Sequence, residues 1–249
     1  VVLVFVIGAC GSSPDSATRV TTGVIASTAE ATRTAGTARM RGTATNTEAD
    51  GSVFAYVMGG ASDFENDATR LESHDDPAAS PGGRAGAGRT ETIVIKDVRY
   101  MQAFTGPGNS ETKWYRLPIS GALAQLQAIS PNISDPITLL DRMSAVGSVE
   151  TLGTERIRGV ATTHCRITFD AAKEKALRPK EFQRSGPSLN SQGRTDIWID
   201  VAGRTRRLQA RFTNSRLTST IDVEFYDFGT PVSIKAPRAA DVIDVPARP

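Results

Sequence analysis

The spacing of apolar positions changes along this chain, and each change marks a predicted element. Residues 21–34 carry Val24, Ile25, Thr28, Ala31 and Ala35 at helical spacing, with Gly36 placed to end the helix. From residue 37 to 47 the pattern turns to strand, and strand signals follow at 52–58, 61–71, 90–96, 99–104 and 113–117, each bounded by Gly, Pro, Asn or Asp. Helical spacing returns in the middle, at 121–129 with Leu123, Leu126 and Ile129 on one face, and at 135–146 with Ile137, Leu140 and Met143. Asp135-Pro136 suits a helix start, because a capping carboxylate precedes a proline whose missing N–H costs nothing there. Strands at 149–152 and 155–169, a short helix at 171–177 and three closing strands complete the pattern.

The closing strands alternate cleanly. Ile197, Ile199 and Val201 are expected on one face; Leu208, Ala210 and Phe212 oppose Arg207, Gln209 and Arg211; Ile221, Val223 and Phe225 oppose Asp222 and Glu224. Such strands belong to an antiparallel sheet with one wet face, whose other face must be covered. The early and middle helices are the available cover. The expected fold class is therefore α+β, one domain with a curved antiparallel sheet over helices.

The first residues follow a different logic. Val1 to Ile7 is wholly apolar, and Gly8-Ala9-Cys10 leads into a Ser/Pro/Asp/Thr tail. As a helix this stretch rises only about 10 Å, against a hydrocarbon core of roughly 30 Å, so it does not span a membrane. It reads as the back half of a secretory signal, residues 1–9, whose basic start would precede Val1. Ile7-Gly8-Ala9-Cys10 matches the bacterial lipobox, in which the thiol is diacylglycerated and the chain is cut before the cysteine. The expected organisation is a lipidated Cys10 and flexible tether over 10–20, then one domain over 21–246, held at the outer face of a cell membrane.

Composition narrows the partners. A net charge of +2, with 22% charged residues and no block of like charge, gives no nucleic-acid signature. With Cys10 lipidated, Cys165 is left without a disulfide partner, and its strand setting reads as core. His74 lies in "ESHDD", expected as a polar loop, and His164 points away from Cys165 on an alternating strand, so neither builds a nucleophile–base pair. Two histidines and one free cysteine do not supply a zinc site. The glycines of "SPGGRAGAGR" (80–89) lack the Lys-Ser/Thr of a phosphate loop and feed a strand, which makes them a hairpin loop. Arg204, Arg206 and Arg207, with Arg211 beyond, suit either anionic headgroups or the charged outer face of a strand after a Gly203 turn. No catalytic residue, metal or cofactor is expected, and the chain is read as a non-enzyme.

Three stretches together resemble a known family. "DPITLLDRMSAVGSVETLGTERIRGVATTHCRITFD" (135–170), "TDIWIDVAGRTRRLQARF" (195–212) and "FYDFGTPVSIKAP" (225–237) look like the LppX/LprAFG lipoproteins and their LolA-like relatives. The resemblance implies a half-barrel of antiparallel strands closed by helices around an apolar cavity for acyl chains. It also implies binding of a lipid or lipoglycan and its transport in the cell envelope, with an envelope transporter as a partner. Candidate cavity residues are Met40, Leu208, Phe212, Ile221, Val223 and Phe225 on the strands, and Leu123, Leu126, Ile137, Leu140 and Met143 on the lid. A monomer is expected. The competing reading is a tethered sensor or protein-interaction domain with the same fold and no lipid cargo.

Overall fold

The computed structural model describes residues 22–80, 88–104, 113–118, 147–169, 194–213 and 217–245. Among them are one α-helix, α1 (Thr22–Thr34), and a twelve-stranded sheet. Its strands are β1 (Thr37–Glu48), β2 (Val53–Asp63), β3 (Ala68–Asp75), β4 (Arg89–Ile95), β5 (Val98–Phe104) and β6 (Trp114–Pro118), followed by β7 (Gly147–Ile157), β8 (Val160–Phe169), β9 (Arg194–Asp200), β10 (Thr205–Thr213), β11 (Leu217–Tyr226) and β12 (Val242–Asp244). The order across the sheet is β12-β6-β5-β4-β3-β2-β1-β11-β10-β9-β8-β7. Every described pair is antiparallel except β12 with β6. The sheet is thus large, open and mostly antiparallel, with β12 and β7 at its described edges. The helices expected at 121–129, 135–146 and 171–177 lie outside the described residues, as do Cys10 and the segments around it.

The helix sits where its sequence directs it. Ile25, Thr28, Ala29 and Thr32, at the i, i+3, i+4, i+7 spacing of one helical face, are at most 1% exposed. That face packs in one cluster with Met40, Ala44, Cys165, Ile197, Leu208, Ile221, Val223 and Phe225 of the sheet. Small residues let helix and sheet approach closely, and hydrogen bonds fix the approach. The Thr32 hydroxyl donates to Thr28 O (2.7 Å) and accepts from the Thr205 N–H (3.0 Å). Thr205 lies at the register shift between β10 and β9, where the regular ladder is interrupted. Gly36 ends the helix with φ +75° and leads the chain directly into β1.

Several boundaries differ from the pattern-based expectation, each for a local reason. The strand expected at 61–71 is two strands, because Asp63 Oδ1 and Oδ2 accept from the backbone and side-chain N–H groups of Asn66, closing a turn that ends at Asp67 with φ +50°. The run at 155–169 is likewise broken at Arg158-Gly159, both at positive φ, as a two-residue hairpin requires. Residues 149–152 and 155–157 join in β7 across a register shift between Thr151 and Gly153. Val201 does not share the face of Ile199: it occupies the turn after β9 and is 97% exposed. His74 is on β3, opposite Val57 and Arg89, rather than in a loop. β9 has no wet face, since every residue from Thr195 to Asp200 is buried. β12 was not foreseen; three residues give too short a pattern to detect.

Candidate functional site

Directly opposed residues in a sheet share a face, so the pairing register traces the apolar face across the molecule. One row runs Phe225, Met40, Gly60, Leu71, Thr92, Met101 and Tyr115, from β11 through β1 to β6. A second runs Cys165, Ile197, Leu208, Val223, Gly42 and Met58, from β8 to β2. The continuous buried cluster reaches as far as Leu71 on β3. Beyond it the same face continues as Thr92 and Val94 on β4, Arg99 and Met101 on β5, and Tyr115 and Leu117 on β6, all half-buried. One face therefore has a sealed half, packed on α1, and a half-buried part on β4–β6 that mixes apolar side chains with Thr92 and Arg99. Ile93, Glu91 and Gln102 are buried on the opposite face of β4 and β5.

The sequence-derived candidates fall on both sides of what is described. Met40, Leu208, Ile221, Val223 and Phe225 come together in the sealed half, each at most 4% exposed and in one cluster with Ile25 and Ala29. Phe212 lies on β10 opposite Ser219. Leu123, Leu126, Ile137, Leu140 and Met143 lie outside the described residues, as does the lipid-attachment candidate Cys10. Sequence reasoning missed the β4–β6 half. In "TETIVIKDVRYMQ" three consecutive apolar residues, Ile93 to Ile95, hide which parity faces inward. Only the register linking Thr92 to Leu71 and Met40 settles it.

Arg99 is the exception on this face. Its strand partners are Val94 and Leu117. Its Nε and Nη2 are sealed from solvent with no hydrogen-bond partner. Burial pushes the guanidinium below its ordinary pKa.

On β7–β11 the opposite face carries polar side chains paired with one another. His164 stacks on Trp198 with ring centroids 4.3 Å apart, while its Nδ1 is 3.0 Å from Glu155 Oε1. Trp198 Nε1 donates to Glu155 Oε2 (3.1 Å), and the Arg207 guanidinium covers the indole at 4.7 Å. Asp196 takes Arg166 and Arg194, and Arg207 pairs with Asp222. Arg204 and Arg206 both close on the buried Asp200 carboxylate and flank Phe228. Arg204, Arg206 and Arg207 are thus paired with acidic side chains within the chain. Burial raises the Asp200 pKa, but bonds from the Arg204 N–H and from the Arg204 and Arg206 side chains outweigh it and hold the carboxyl below its ordinary value.

His164 and Cys165 do point to opposite faces, the thiol being fully buried in the core. Burial raises the Cys165 pKa, opposed by a hydrogen bond with Thr151, so the sulfur stays a thiol at neutral pH. Among the described residues no group of three His, Cys, Asp or Glu is placed to hold a metal, and no helix is long and apolar enough to cross a membrane.

In structure the chain is similar to LppX. The Mycobacterium tuberculosis lipoprotein LppX matches at 14% identity and a TM-score of 0.47, over 86% of this chain and 97% of LppX. LprF from Mycobacterium bovis matches at 16% identity and a TM-score of 0.46, over 87% of this chain and 96% of LprF. MucB matches at 12% identity and a TM-score of 0.42, over 87% of this chain and 62% of MucB. No protein-family model and no curated protein sequence matches the chain. Function is accordingly read from this chain's own residues.

Proposed function

We propose that this chain is a lipid-binding lipoprotein of the cell envelope, which holds the acyl chains of a lipid or lipoglycan against the apolar face of its sheet and helps move them between envelope sites. The observation that carries this reading is the face itself. It continues in register from a sealed core to a half-buried apolar surface on β4–β6, where Val94, Met101 and Leu117 remain partly open. An acyl chain in water costs about 0.8 kcal/mol per methylene, so any such surface able to cover a fatty tail offsets a cost on the order of 10 kcal/mol for a long chain. Binding of this kind needs no nucleophile and no metal.

In this reading Met40, Leu208, Ile221, Val223 and Phe225 form the packed wall of the acyl site, with Phe212 on the same strand set. Leu123, Leu126, Ile137, Leu140 and Met143 supply a lid. Residues 1–9 are a signal, Cys10 carries the acyl anchor, 10–20 is the tether, and 21–246 is the carrier domain at the outer face of the membrane. The carrier works as a monomer and exchanges cargo with an envelope transporter.

The test is extraction of the purified full chain, carrying Cys10→Ser to keep it free of its own acyl groups, followed by mass spectrometry and titration with a labelled lipid. Bound lipid and saturable uptake are expected. Absence of both would leave a tethered interaction domain in place of the carrier.

A further inference from the structure

An unpaired cation on an apolar face asks for an explanation. Arg99 shares the face of Met40, because Met101, two residues along β5, stands in the row Met40, Gly60, Leu71, Thr92, Met101. Its cross-strand neighbours, Val94 and Leu117, are apolar. Its Nε and Nη2 are each shut off from solvent with no hydrogen-bond partner, and no carboxylate lies within ion-pair distance of it among the described residues. Glu72 and Glu91, the nearby acids on β3 and β4, lie on the other face, where they meet Arg89 and Arg70. A guanidinium does not give up its proton in a protein, so this one stays charged despite its burial. Two guanidinium donors closed off from water with no partner are costly to retain. The residue as a whole is half-buried, whereas the Nε–Nη2 edge itself is closed to solvent, so a ligand meets that edge only by displacing what covers it.

We infer that Arg99 is the head-group anchor of the acyl site: it receives the carboxylate or phosphate of an anionic lipid whose tail lies along Val94, Met101 and Leu117. This rests on the lipid-binding reading above and sharpens it to a substrate class. Nε and Nη2 form one edge of the guanidinium fork, which matches two oxygens of a carboxylate or phosphate at once. The apolar neighbours suit a methylene chain and exclude the water that would otherwise weaken the pair.

The test compares probes that share one oleoyl chain. Oleate and oleoyl lysophosphatidic acid carry anionic heads, monoolein carries a neutral one, and inorganic phosphate carries no chain. Each is titrated into the full chain carrying Cys10→Ser and into the same chain with Arg99→Met or Arg99→Lys. The anionic lipids should bind the parent about tenfold to a hundredfold tighter than monoolein, the range expected for charge-assisted hydrogen bonds. That preference should disappear in R99M and survive in part in R99K. R99M is expected to unfold at no lower temperature than the parent without lipid, since it removes an unpaired buried charge; should R99M fail to fold, retention of part of the preference in R99K still supports the assignment, and its complete loss there overturns it. Equal binding of anionic and neutral lipids by the parent overturns the head-group role and leaves lipid binding intact. Preference unchanged in R99M overturns it as well, and so does Arg99-dependent binding of inorganic phosphate as tight as that of the anionic lipids. Failure of every lipid to bind removes the carrier reading and this inference together.

Discussion

Thr32 shows how one hydroxyl can set the position of a helix. Its oxygen is the acceptor for the Thr205 N–H at 3.0 Å, at a point where the sheet ladder shifts register and Thr205 is fully buried. Thr32→Val keeps the shape and removes the acceptor, leaving a buried donor unsatisfied; a loss of about 1–3 kcal/mol is expected in urea unfolding. Thr32→Ser should recover most of it, and a T32V protein as stable as the parent would show that Thr205 finds another partner. Asp200 makes the electrostatic counterpart. Its carboxylate accepts from the Ala202 and Arg204 N–H groups and from both Arg204 and Arg206 guanidiniums. Because its pKa is depressed in the folded protein, its contribution is fully present above the unfolded-state value of about 4 and is lost as pH falls through the folded value. Asp200→Asn should lower stability at pH 7 by on the order of 2 kcal/mol and flatten the acid side of the stability–pH curve. An unchanged acid limb would assign that loss to other carboxylates.

At the scale of elements, two glycines set how closely the central strands approach. A Cβ at Gly60 would stand 2.1 Å from Arg70 O on β3, and one at Gly42 would stand 2.2 Å from Asp222 O on β11. Gly60→Ala therefore has to part β2 from β3, within the sealed half of the apolar face. A cost of about 1–3 kcal/mol is expected from overpacking, read as a lowered denaturant midpoint. A midpoint equal to the parent's would mean that the strands yield without loss. These glycines also mark what a one-dimensional pattern conveys. The alternation of Leu208, Ala210, Ile221, Val223 and Phe225 announced inward faces, and all five are buried. The helix α1 was legible as an element, but of its expected face only Ile25 and Thr28 are buried; Ala29 and Thr32 complete the buried face, and Val24, Ala31 and Ala35 are half-buried. Hairpin positions were not, because Arg158-Gly159 and Asp63 to Asp67 interrupt runs that otherwise read as continuous strand. Nor was the β4–β6 part of the candidate site, since Ile93, Val94 and Ile95 offer apolar side chains to both faces. Face assignment there is a property of register, and register is set by strands far away in sequence.

For the whole molecule, the proposed tether and the proposed cargo site are separate physical devices and can be tested apart. One acyl chain gives only marginal membrane residence, whereas two give a stable anchor, so in the proposed arrangement localisation depends on modification of Cys10. The domain itself brings little attraction of its own: net charge is +2, and Arg204, Arg206 and Arg207 are committed to Asp200 and Asp222. Cys10→Ser should therefore move the chain, expressed with a complete bacterial signal, from the membrane pellet to the soluble fraction. Lipid retained in the sheet should be unaffected, because the face that holds it begins at β1 and depends on none of the first twenty residues in the proposed arrangement. Fractionation with quantitative lipid extraction of both fractions reads the two effects together. A C10S chain that stays with the membrane would place the attachment in the domain, and loss of bound lipid along with loss of the membrane would mean that the cargo was only the anchor's own acyl groups.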